Sequence, residues 1–373
     1  MNSRERIRKA INFQEPDRVP IDWGMITVSG IHEAAYKNLL SYLNKNEEIV
    51  ISDPVQGLAL TSEDILKLFN VDTRVLWANS PSSWKYEPDE KGNWYNEHGT
   101  YFIRNEYYCD FREYPLEDAN SIEDLKAFKM NDPEDPVRFA GLRARAKYLY
   151  ENTEYALVGG DTAALYYLAW TLRGYENFMA DIAYDEKFAN YILDMIMDWW
   201  KAFMAKYLAE IGDYIEIMWA GDDWGSQDGP LINPNEFRKN VAPRFKELIG
   251  FMKDRCSAKV AYHSCGSVAW CLDDFVDMGV DIVQPLQANA FRMGEKYDLK
   301  KKYYNKLTFH GGLDNQGKFH LGKDVVREDV IETLKAYAPG GGYLFGSGHN
   351  IQANCAPETI ETLFKTCAEF GRY

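Results

Sequence analysis

Membrane-spanning and secretory segments are missing from this 373-residue sequence. No apolar run reaches the roughly 18 residues that a transmembrane helix needs. Residues 1–6 are charged and lead into an amphipathic segment, unlike the apolar core of a signal peptide. We therefore expect a cytoplasmic protein that has no membrane as its partner.

Positive charge and cysteine are also scarce. The chain has 42 Lys and Arg against 57 Asp and Glu, a net charge of −15, which disfavours nucleic acid or an anionic lipid surface as a partner. Six cysteines are too few for a disulfide framework in a chain of this size, so we expect them to be buried thiols or metal ligands. The GxGxxG and GxxxxGK[ST] patterns are absent, so a bound nucleotide has no support.

Short apolar, β-rich runs alternate with longer segments of helical period along most of the chain. This alternation is typical of repeated βα units and a parallel sheet. Eight such runs favour a closed (β/α)₈ TIM barrel over an open sheet. The predicted strands are 18–23, 72–77, 155–160, 213–219, 259–263, 280–285, 307–312 and 343–346. The clearest predicted helices are 177–208 and 235–255, the second interrupted near Pro243.

Residues 84–114 break the alternation with glycines and alternating aromatic residues, which predicts β-hairpins. Residues 132–136, Asp-Pro-Glu-Asp-Pro, end this segment as a breaker-rich link. We expect a single TIM-barrel domain over residues 1–373, with an insertion at about 84–136 near the barrel mouth.

His263 and Cys265 are the most informative pair in the sequence. They stand two residues apart at the end of a predicted strand, so both side chains are expected on the same side of the chain. Imidazole and thiolate together suit Zn²⁺, and three protein ligands leave a fourth position open for a substrate. For the third ligand the sequence offers Cys355 and His349, of which Cys355 is preferred on its chemistry.

Polar residues follow the other predicted strands, at the end of a barrel where active sites are built. The adjacent carboxylates Asp222 and Asp223 are candidate catalytic residues; one could cap a helix while the other faces the pocket and handles a proton. The candidate substrate-binding residues at the strand ends and in the loop after the first strand are Trp23, Met25, Asp161, Gln284, Asp314 and Asn350. Asp161 and Asp314 are equally well explained as helix caps.

Several motifs together resemble the uroporphyrinogen decarboxylase superfamily, in its branch of cobamide-dependent methyltransferases. The resemblance covers nearly the whole chain and implies the TIM-barrel fold. The motifs are Glu-Pro-Asp-Arg-Val-Pro at 15–20, Gly-Asp-Asp-Trp-Gly at 221–225, His-Ser-Cys-Gly at 263–266, Val-Asp-Ile-Val-Gln-Pro at 280–285, Gly-Gly-Leu-Asp at 311–314 and Gly-His-Asn-Ile at 348–351.

The resemblance also separates two activities. Decarboxylases of this superfamily carry an arginine-rich loop after the first strand, whereas residues 23–29 contain no arginine. A porphyrinogen with many carboxylates would find no cation there, so decarboxylation is disfavoured. The methyltransferase branch is similar in its His-x-Cys…Cys zinc pattern, which His263, Cys265 and Cys355, or alternatively His349, fill here.

The resemblance therefore predicts a zinc methyltransferase, possibly the methyltransferase component of an O-demethylase. The expected donor is a small methylated compound, with a methoxylated aromatic preferred because the chain is rich in aromatic residues (14%). The acceptor would be the cobalt of a corrinoid, brought by a separate corrinoid protein because no Asp-x-His-x-x-Gly pattern occurs here. A methylcorrinoid:thiol methyltransferase, a metal-free decarboxylase and a non-catalytic binding barrel are the alternatives.

Overall fold

Parallel strands at seven of the eight predicted positions form the scaffold in a computed structural model that describes residues 1–373. We number the positions around the barrel. Position β1 is the extended segment 20–22, which joins the barrel through a single parallel β-bridge between Ile21 and Phe345. The strands are β2 (Thr73–Leu76), β3 (Ala156–Ala163), β4 (Ile215–Gly221), β5 (Lys259–His263), β6 (Ile282–Gln284), β7 (Thr308–His310) and β8 (Tyr343–Leu344). Strands β2 to β8 form one parallel sheet in chain order. Seven of the predicted runs thus contain or overlap a strand, and the first contains the bridged segment.

Residues 20–22 close this sheet into a barrel. Asp22 N donates to Phe345 O at 2.7 Å and Phe345 N donates to Pro20 O at 2.9 Å, which joins β1 to the end of β8. On the other side, Asp72 N donates to Ile21 O at 2.8 Å, just before β2 begins. The first strand therefore bridges the two edges of the sheet, and the (β/α)₈ fold predicted from the sequence is confirmed.

The helices pack around the outside of the barrel. They are Ser3–Ala10, Glu33–Tyr42, Glu63–Leu68, Ile122–Ala127, Pro136–Phe139, Leu142–Asn152, Tyr166–Arg173, Tyr175–Tyr184, Glu186–Ile211, Pro234–Glu236, Ala242–Lys253, Leu272–Met278, Lys296–Tyr303, Lys323–Tyr337 and Pro357–Phe370. Short 3₁₀ turns occur at Thr27–Ser29 and Phe319–Leu321, and a π-helical turn at Phe237–Val241. None of the helices combines the length and the apolar character that crossing a membrane requires.

Two predicted helices are interrupted for identifiable reasons. The segment predicted as 177–208 divides at Asp185, whose carboxylate accepts a hydrogen bond from Phe188 N at 3.1 Å and so begins the second helix. In the segment predicted as 235–255, the π-helical turn lies directly before Pro243, which has no N–H to donate and crowds the carbonyl four residues earlier.

Two small antiparallel sheets lie outside the barrel. One contains Ile31–His32, Leu58–Ala59 and Ile51–Asp53, and the other contains Trp94–Tyr95, Tyr101–Arg104 and Cys109–Glu113. The second sheet is the predicted hairpin segment, and Cys109 N donates to Val55 O at 2.8 Å, which joins the two sheets. Together they carry residues 53–56 and Phe111 to the carboxyl end of the barrel.

Side-chain alternation along β5 sets the direction of the ligand residues. Val260 and Tyr262 belong to the large hydrophobic core between sheet and helices, whereas Ala261 belongs to a cluster of 12 buried residues inside the barrel. His263 follows two residues later and pairs with Gly221 of β4 and Gln284 of β6. Its imidazole therefore stands at the barrel's inner carboxyl end.

Candidate metal centre and its two cavities

The loops after β4 and β5 are locked together before any functional side chain is considered. Gly225 lies so close to the loop after β5 that a Cβ there would stand 2.5 Å from Ser267 N, and Gly266, at φ +76°, lies against Gly225 in turn. Trp224 N donates to Ser264 Oγ at 2.9 Å. These contacts need two glycines, and they fix the backbone on both sides of Cys265.

His263, Cys265 and His349 come together at the carboxyl end of the barrel. One ligand atom of each lies within 4.8 Å of the other two, and Cys265 Sγ is 3.3 Å from His263 Nε2. The three residues come from β5 and from the loop after β8. An imidazole–thiolate–imidazole set of this kind has the donor chemistry that zinc prefers, with room for a fourth ligand.

Two amides orient the two imidazoles in the same way. The Nδ1 of His263 is hydrogen-bonded to Gln284 Oε1, and the Nδ1 of His349 lies 2.8 Å from Asn350 Oδ1. Because each amide oxygen accepts a hydrogen bond, each Nδ1 must carry the proton, which leaves both Nε2 atoms free to bind a metal. Gln284 and Asn350, expected to bind substrate, instead hold the imidazoles.

The two candidate cysteines differ in their chemistry. Burial and Asp223 act to raise the pKa of Cys265, but the neighbouring imidazoles of His263 and His349 lower it overall. Cys355 is 3% exposed, and burial raises its pKa to about 12. Cys355 does not join the group formed by His263, Cys265 and His349, and its thiol stays protonated in an apolar setting. The geometry thus favours His349, the alternative ligand, over Cys355.

Asp222 caps a helix. Its Oδ2 accepts hydrogen bonds from Leu165 N and Tyr166 N, and its Oδ1 accepts one from Tyr167 N, at 2.7–2.9 Å. These donors begin the helix Tyr166–Arg173. Burial raises the pKa of Asp222 to about 7 in spite of them. Asp222 therefore positions the helix whose rings line the adjacent cavity.

Asp223 is the exposed member of the pair. Its Oδ1 lies 3.4 Å from His263 Nε2 and accepts a hydrogen bond from Cys265 N at 2.8 Å. Burial alone would raise the pKa of Asp223, but a His263 ring that also carries a proton on Nε2 lowers it to about 2 through its hydrogen bond and charge. The two adjacent carboxylates thus have different roles, and only Asp223 presents an ionised carboxylate beside the metal ligands.

A cavity of about 620 Å³ opens on one side of the three ligand residues; we call it the ring-lined cavity. His263, His349, Asp222 and Asp223 form its floor, and no Lys or Arg lines it. The rings along its wall are those of Phe111, Tyr166, Tyr167, Trp170 and Tyr175. A second cavity, of about 300 Å³, lies on the side of Cys265 and His349; we call it the amide-lined cavity. Its amides are those of Gln287, Asn289, Asn315, Gln316 and Gln352.

None of the six residues expected to bind substrate lines the ring-lined cavity, and the four other than Gln284 and Asn350 have structural contacts. Trp23 stacks on Phe364 with ring centroids 4.5 Å apart, and Met25 is 1% exposed in the inner cluster, so both are packing residues. Asp161 accepts a hydrogen bond from Ala78 N at 2.8 Å. Asp314 accepts from Gly317 N and Asn289 Nδ2 at 2.7 Å. Both carboxylates tie loops together.

Sequence reasoning missed the residues that the outer sheets and the third βα loop bring to the cavity. Asp53 and Gln56 come from the first small sheet, Phe111 from the hairpin sheet, and Tyr167 and Trp170 from the helix that Asp222 caps. The only available signal was the pair of adjacent tyrosines, Tyr166 and Tyr167, followed by Trp170 at helical spacing. That pattern is equally typical of a buried core face.

Comparisons with known proteins bear on the fold and the family of this chain. A methyltransferase from Methanosarcina mazei superposes with a TM-score of 0.65 at 17% sequence identity, over 99% of each chain. Xylanase 10B from Thermotoga petrophila RKU-1, in complex with xylobiose, gives a TM-score of only 0.38 at 10% identity, over 68% of this chain and 81% of the xylanase. No curated protein matches the chain by sequence. The family model Uroporphyrinogen decarboxylase (URO-D) matches residues 110–370, and the chain therefore belongs to this family.

Proposed function

We propose that this protein is a zinc-dependent methyltransferase that moves a methyl group from a small methylated compound to the cobalt of a corrinoid carried by a partner protein. One observation carries the proposal: His263, Cys265 and His349 lie between two cavities of different chemistry. A transfer between two reactants needs both of them at one centre without mixing their sites. The methyltransferase fold neighbour supports this assignment.

The donor set fits zinc, and we propose His263, Cys265 and His349 as its ligands, with His349 preferred to Cys355 because only His349 lies with the other two. When bound, Zn²⁺ supplies a Lewis acid that stabilises negative charge on a departing oxygen or on a thiol. Gln284 and Asn350 keep the two Nε2 atoms directed at the metal position. Asp223 accepts a hydrogen bond from the departing hydroxyl, while Asp222 holds the aromatic helix in place.

The ring-lined cavity is where we propose that the methyl donor binds, and the expected donor is a methoxylated aromatic. Its aromatic wall suits a flat, apolar molecule. In the reaction a methyl–oxygen bond breaks and a methyl–cobalt bond forms. Co(I) supplies the electron pair and becomes Co(III), while the oxygen keeps its own pair and gains a proton.

The amide-lined cavity is the proposed approach for the corrinoid. A corrinoid ring is rimmed by amide side chains, and the five amides of this cavity offer both donors and acceptors to them. Decarboxylation of a porphyrinogen is disfavoured, although the chain belongs to that family, because neither Lys nor Arg lines the ring-lined cavity to meet its carboxylates.

The proposal is tested by metal analysis and cobalt spectroscopy on the same preparation. We expect about one zinc per chain. With cob(I)alamin as acceptor and a series of methoxylated aromatics, the Co(I) spectrum should be replaced by that of methyl-Co(III). Asp223→Asn should slow transfer by about 10²-fold while zinc content is unchanged.

Other results would reject the proposal or select its alternative. A metal content near zero, or full zinc retention in both Cys265→Ser and His263→Ala, rejects the metal centre. Release of CO₂ from a porphyrinogen, without cobalt methylation by any methoxy compound or methylated thiol, rejects the methyltransferase and returns the protein to decarboxylation. Methylation of a thiol by methylcobalamin, with no demethylation of ethers, selects the alternative direction of transfer.

A further inference from the structure

The aromatic wall of the ring-lined cavity is formed by rings that brace one another. The Trp170 ring lies at centroid distances of 5.1 Å from Tyr175, 5.7 Å from Tyr167 and 6.1 Å from Phe111. Tyr167 and Tyr175 line the cavity, and each is 38% exposed. Rings held in this way present electron-rich faces to whatever occupies the cavity.

The wall of the cavity carries a carboxylate, whereas the histidines His263 and His349, at the proposed metal position, lie on its floor. Asp53 lies on the wall and Asp223 on the floor, and no Lys or Arg lines the cavity. Asp53 is held by its own loop, since its Oδ1 accepts from Val55 N at 2.8 Å and its Oδ2 from Gln56 Nε2 at 3.0 Å. Both aspartates act electrostatically on the Tyr167 hydroxyl, and burial is the largest cause of that hydroxyl's raised pKa.

We propose that the compound bound in the ring-lined cavity carries a positively charged ammonium group, seated against the faces of Tyr167 and Trp170 with Asp53 as its counter-ion. An aromatic wall alone would accept any flat apolar molecule. Away from the metal position, aromatic faces combined with the Asp53 carboxylate, without a lysine or arginine, disfavour anions and favour an organic cation. The net charge of −15 on the whole chain acts in the same direction at longer range.

The inference rests on the proposed function only in naming this compound as the methyl donor. A methoxylated ring that bears an amine satisfies both statements, because the ring and the ammonium group occupy different parts of one molecule. Binding itself requires neither the metal nor the corrinoid, so it can be measured without them.

Two ligands of nearly the same shape separate the effect of positive charge from the effect of shape. Choline and 3,3-dimethylbutan-1-ol have almost the same shape, but only choline carries a positive charge. In titration calorimetry with the purified full-length chain, we expect choline to bind about tenfold or more tightly than the neutral alcohol.

Two matched pairs of variants assign the residues. Asp53→Asn keeps an acceptor for the loop N–H groups and should weaken choline binding about tenfold while leaving the alcohol unaffected. Asp228→Asn, a change at an exposed carboxylate outside the cavity, should change neither. Tyr167→Leu should weaken choline binding several-fold, whereas Tyr184→Leu, at a tyrosine that is 91% exposed elsewhere, should have no effect.

Equal affinities for choline and the alcohol, or unchanged choline binding in Asp53→Asn, overturn the inference. Equal binding of a carboxylate of similar size, such as 3,3-dimethylbutanoate, does the same. The proposed function fails separately: a protein that prefers choline but never methylates cobalt keeps the cation site and loses the methyltransferase. A protein that demethylates only neutral ethers, without preference for a charged ligand, keeps the methyltransferase function and loses the cation site.

Discussion

The two ends of the barrel differ in how their carboxylates are paired. At the amino end, Asp72 is fully buried and each oxygen is saturated: Arg6 Nη1 and Ser3 Oγ donate to Oδ1 at 2.6 and 2.7 Å, and Arg18 Nη1 and Ile21 N donate to Oδ2 at 2.8 Å. Every partner is provided by the chain itself. This network also ties β1 to the start of β2.

At the carboxyl end the buried charges lack opposite partners of that kind. Asp222 and Asp223 stand together without an arginine or lysine, and His263, Cys265 and His349 converge with their metal-binding atoms directed at one another. Burial raises the pKa of Asp222 to about 7, whereas His263 lowers that of Asp223 to about 2.

This difference separates residues that stabilise the barrel from residues that are arranged to bind a ligand. When the fold has already neutralised a buried charge, removing one partner should lower stability, because the other partner is left without compensation. A buried set of like or converging donors costs stability, and it is explained when a cation from outside completes it. Changes at the two ends should therefore affect different measurements.

The largest effect is expected at the third metal ligand. His349→Ala should lower zinc affinity by about three orders of magnitude or more, because a metal-binding energy of about 10–16 kcal/mol is shared among few ligands. Cys355→Ser is the matched control and should leave affinity unchanged, since Cys355 is not part of the group that His263, Cys265 and His349 form. Competition with a chelator measures both. Loss of zinc in the serine variant with retention in the alanine variant would reverse the assignment.

At the opposite end, Asp72→Asn should cost about 3–5 kcal/mol of unfolding free energy, because it leaves Arg6 and Arg18 without their shared counter-charge. Asp17 pairs with the same Arg6 but is 43% exposed, so Asp17→Asn should cost less than about 1 kcal/mol. Urea denaturation measures both values. The zinc affinity of the folded fraction should stay at the wild-type value, and a large fall in it would show that the two ends are not independent.

Much of this arrangement was predictable from the sequence, for physical reasons. Parallel strands are buried on both faces and so appear as continuous apolar runs, which located the seven strands and the bridged first segment within a few residues. The period of two along a strand placed His263 and Cys265 on the same side. Adjacent Asp222 and Asp223 had to point in different directions, and one of them does cap a helix.

Long-range packing decided the rest. Cys355 and His349 are six residues apart in one loop, and only the folded path of that loop determines which of them faces His263. The cavity wall comes from segments distant in sequence, such as Asp53 and Phe111, whose polar or aromatic character alone is equally typical of a turn or a core. Gln284 and Asn350 are recognisable in the sequence as polar residues after strands. The hydrogen bond between Gln284 and His263 depends on the register between β5 and β6, and the one between Asn350 and His349 depends on the path of the loop after β8.

An intermediate effect is expected from the amide behind His263. Gln284→Leu removes the acceptor of the Nδ1 proton and should lower zinc affinity about 10–100-fold. Gln284→Glu keeps an acceptor oxygen and should restore most of the affinity. A merely structural role for Gln284 would instead lower thermal stability in both variants, without a difference between them in zinc affinity.

The last expected effect is on the pH dependence of stability. Burial raises the pKa of Asp161 to about 6, from 3.8, and the hydrogen bond from Ala78 N does not offset this. Between these pH values the unfolded chain has lost the proton that the folded protein still holds, so stability falls as pH rises from about 4 to 6, with a slope of at most about 1.4 kcal/mol per pH unit. Asp161→Asn should remove this part of the slope.

Urea denaturation at pH 4.5, 6 and 7.5 measures the difference in stability between variant and wild type, in which the contributions of the other carboxylates cancel. If the difference stays constant with pH, Asp161 is ionised throughout this range. The protein would then compensate the buried Asp161 charge as it does that of Asp72, and the contrast between the two ends of the barrel would not extend to Asp161.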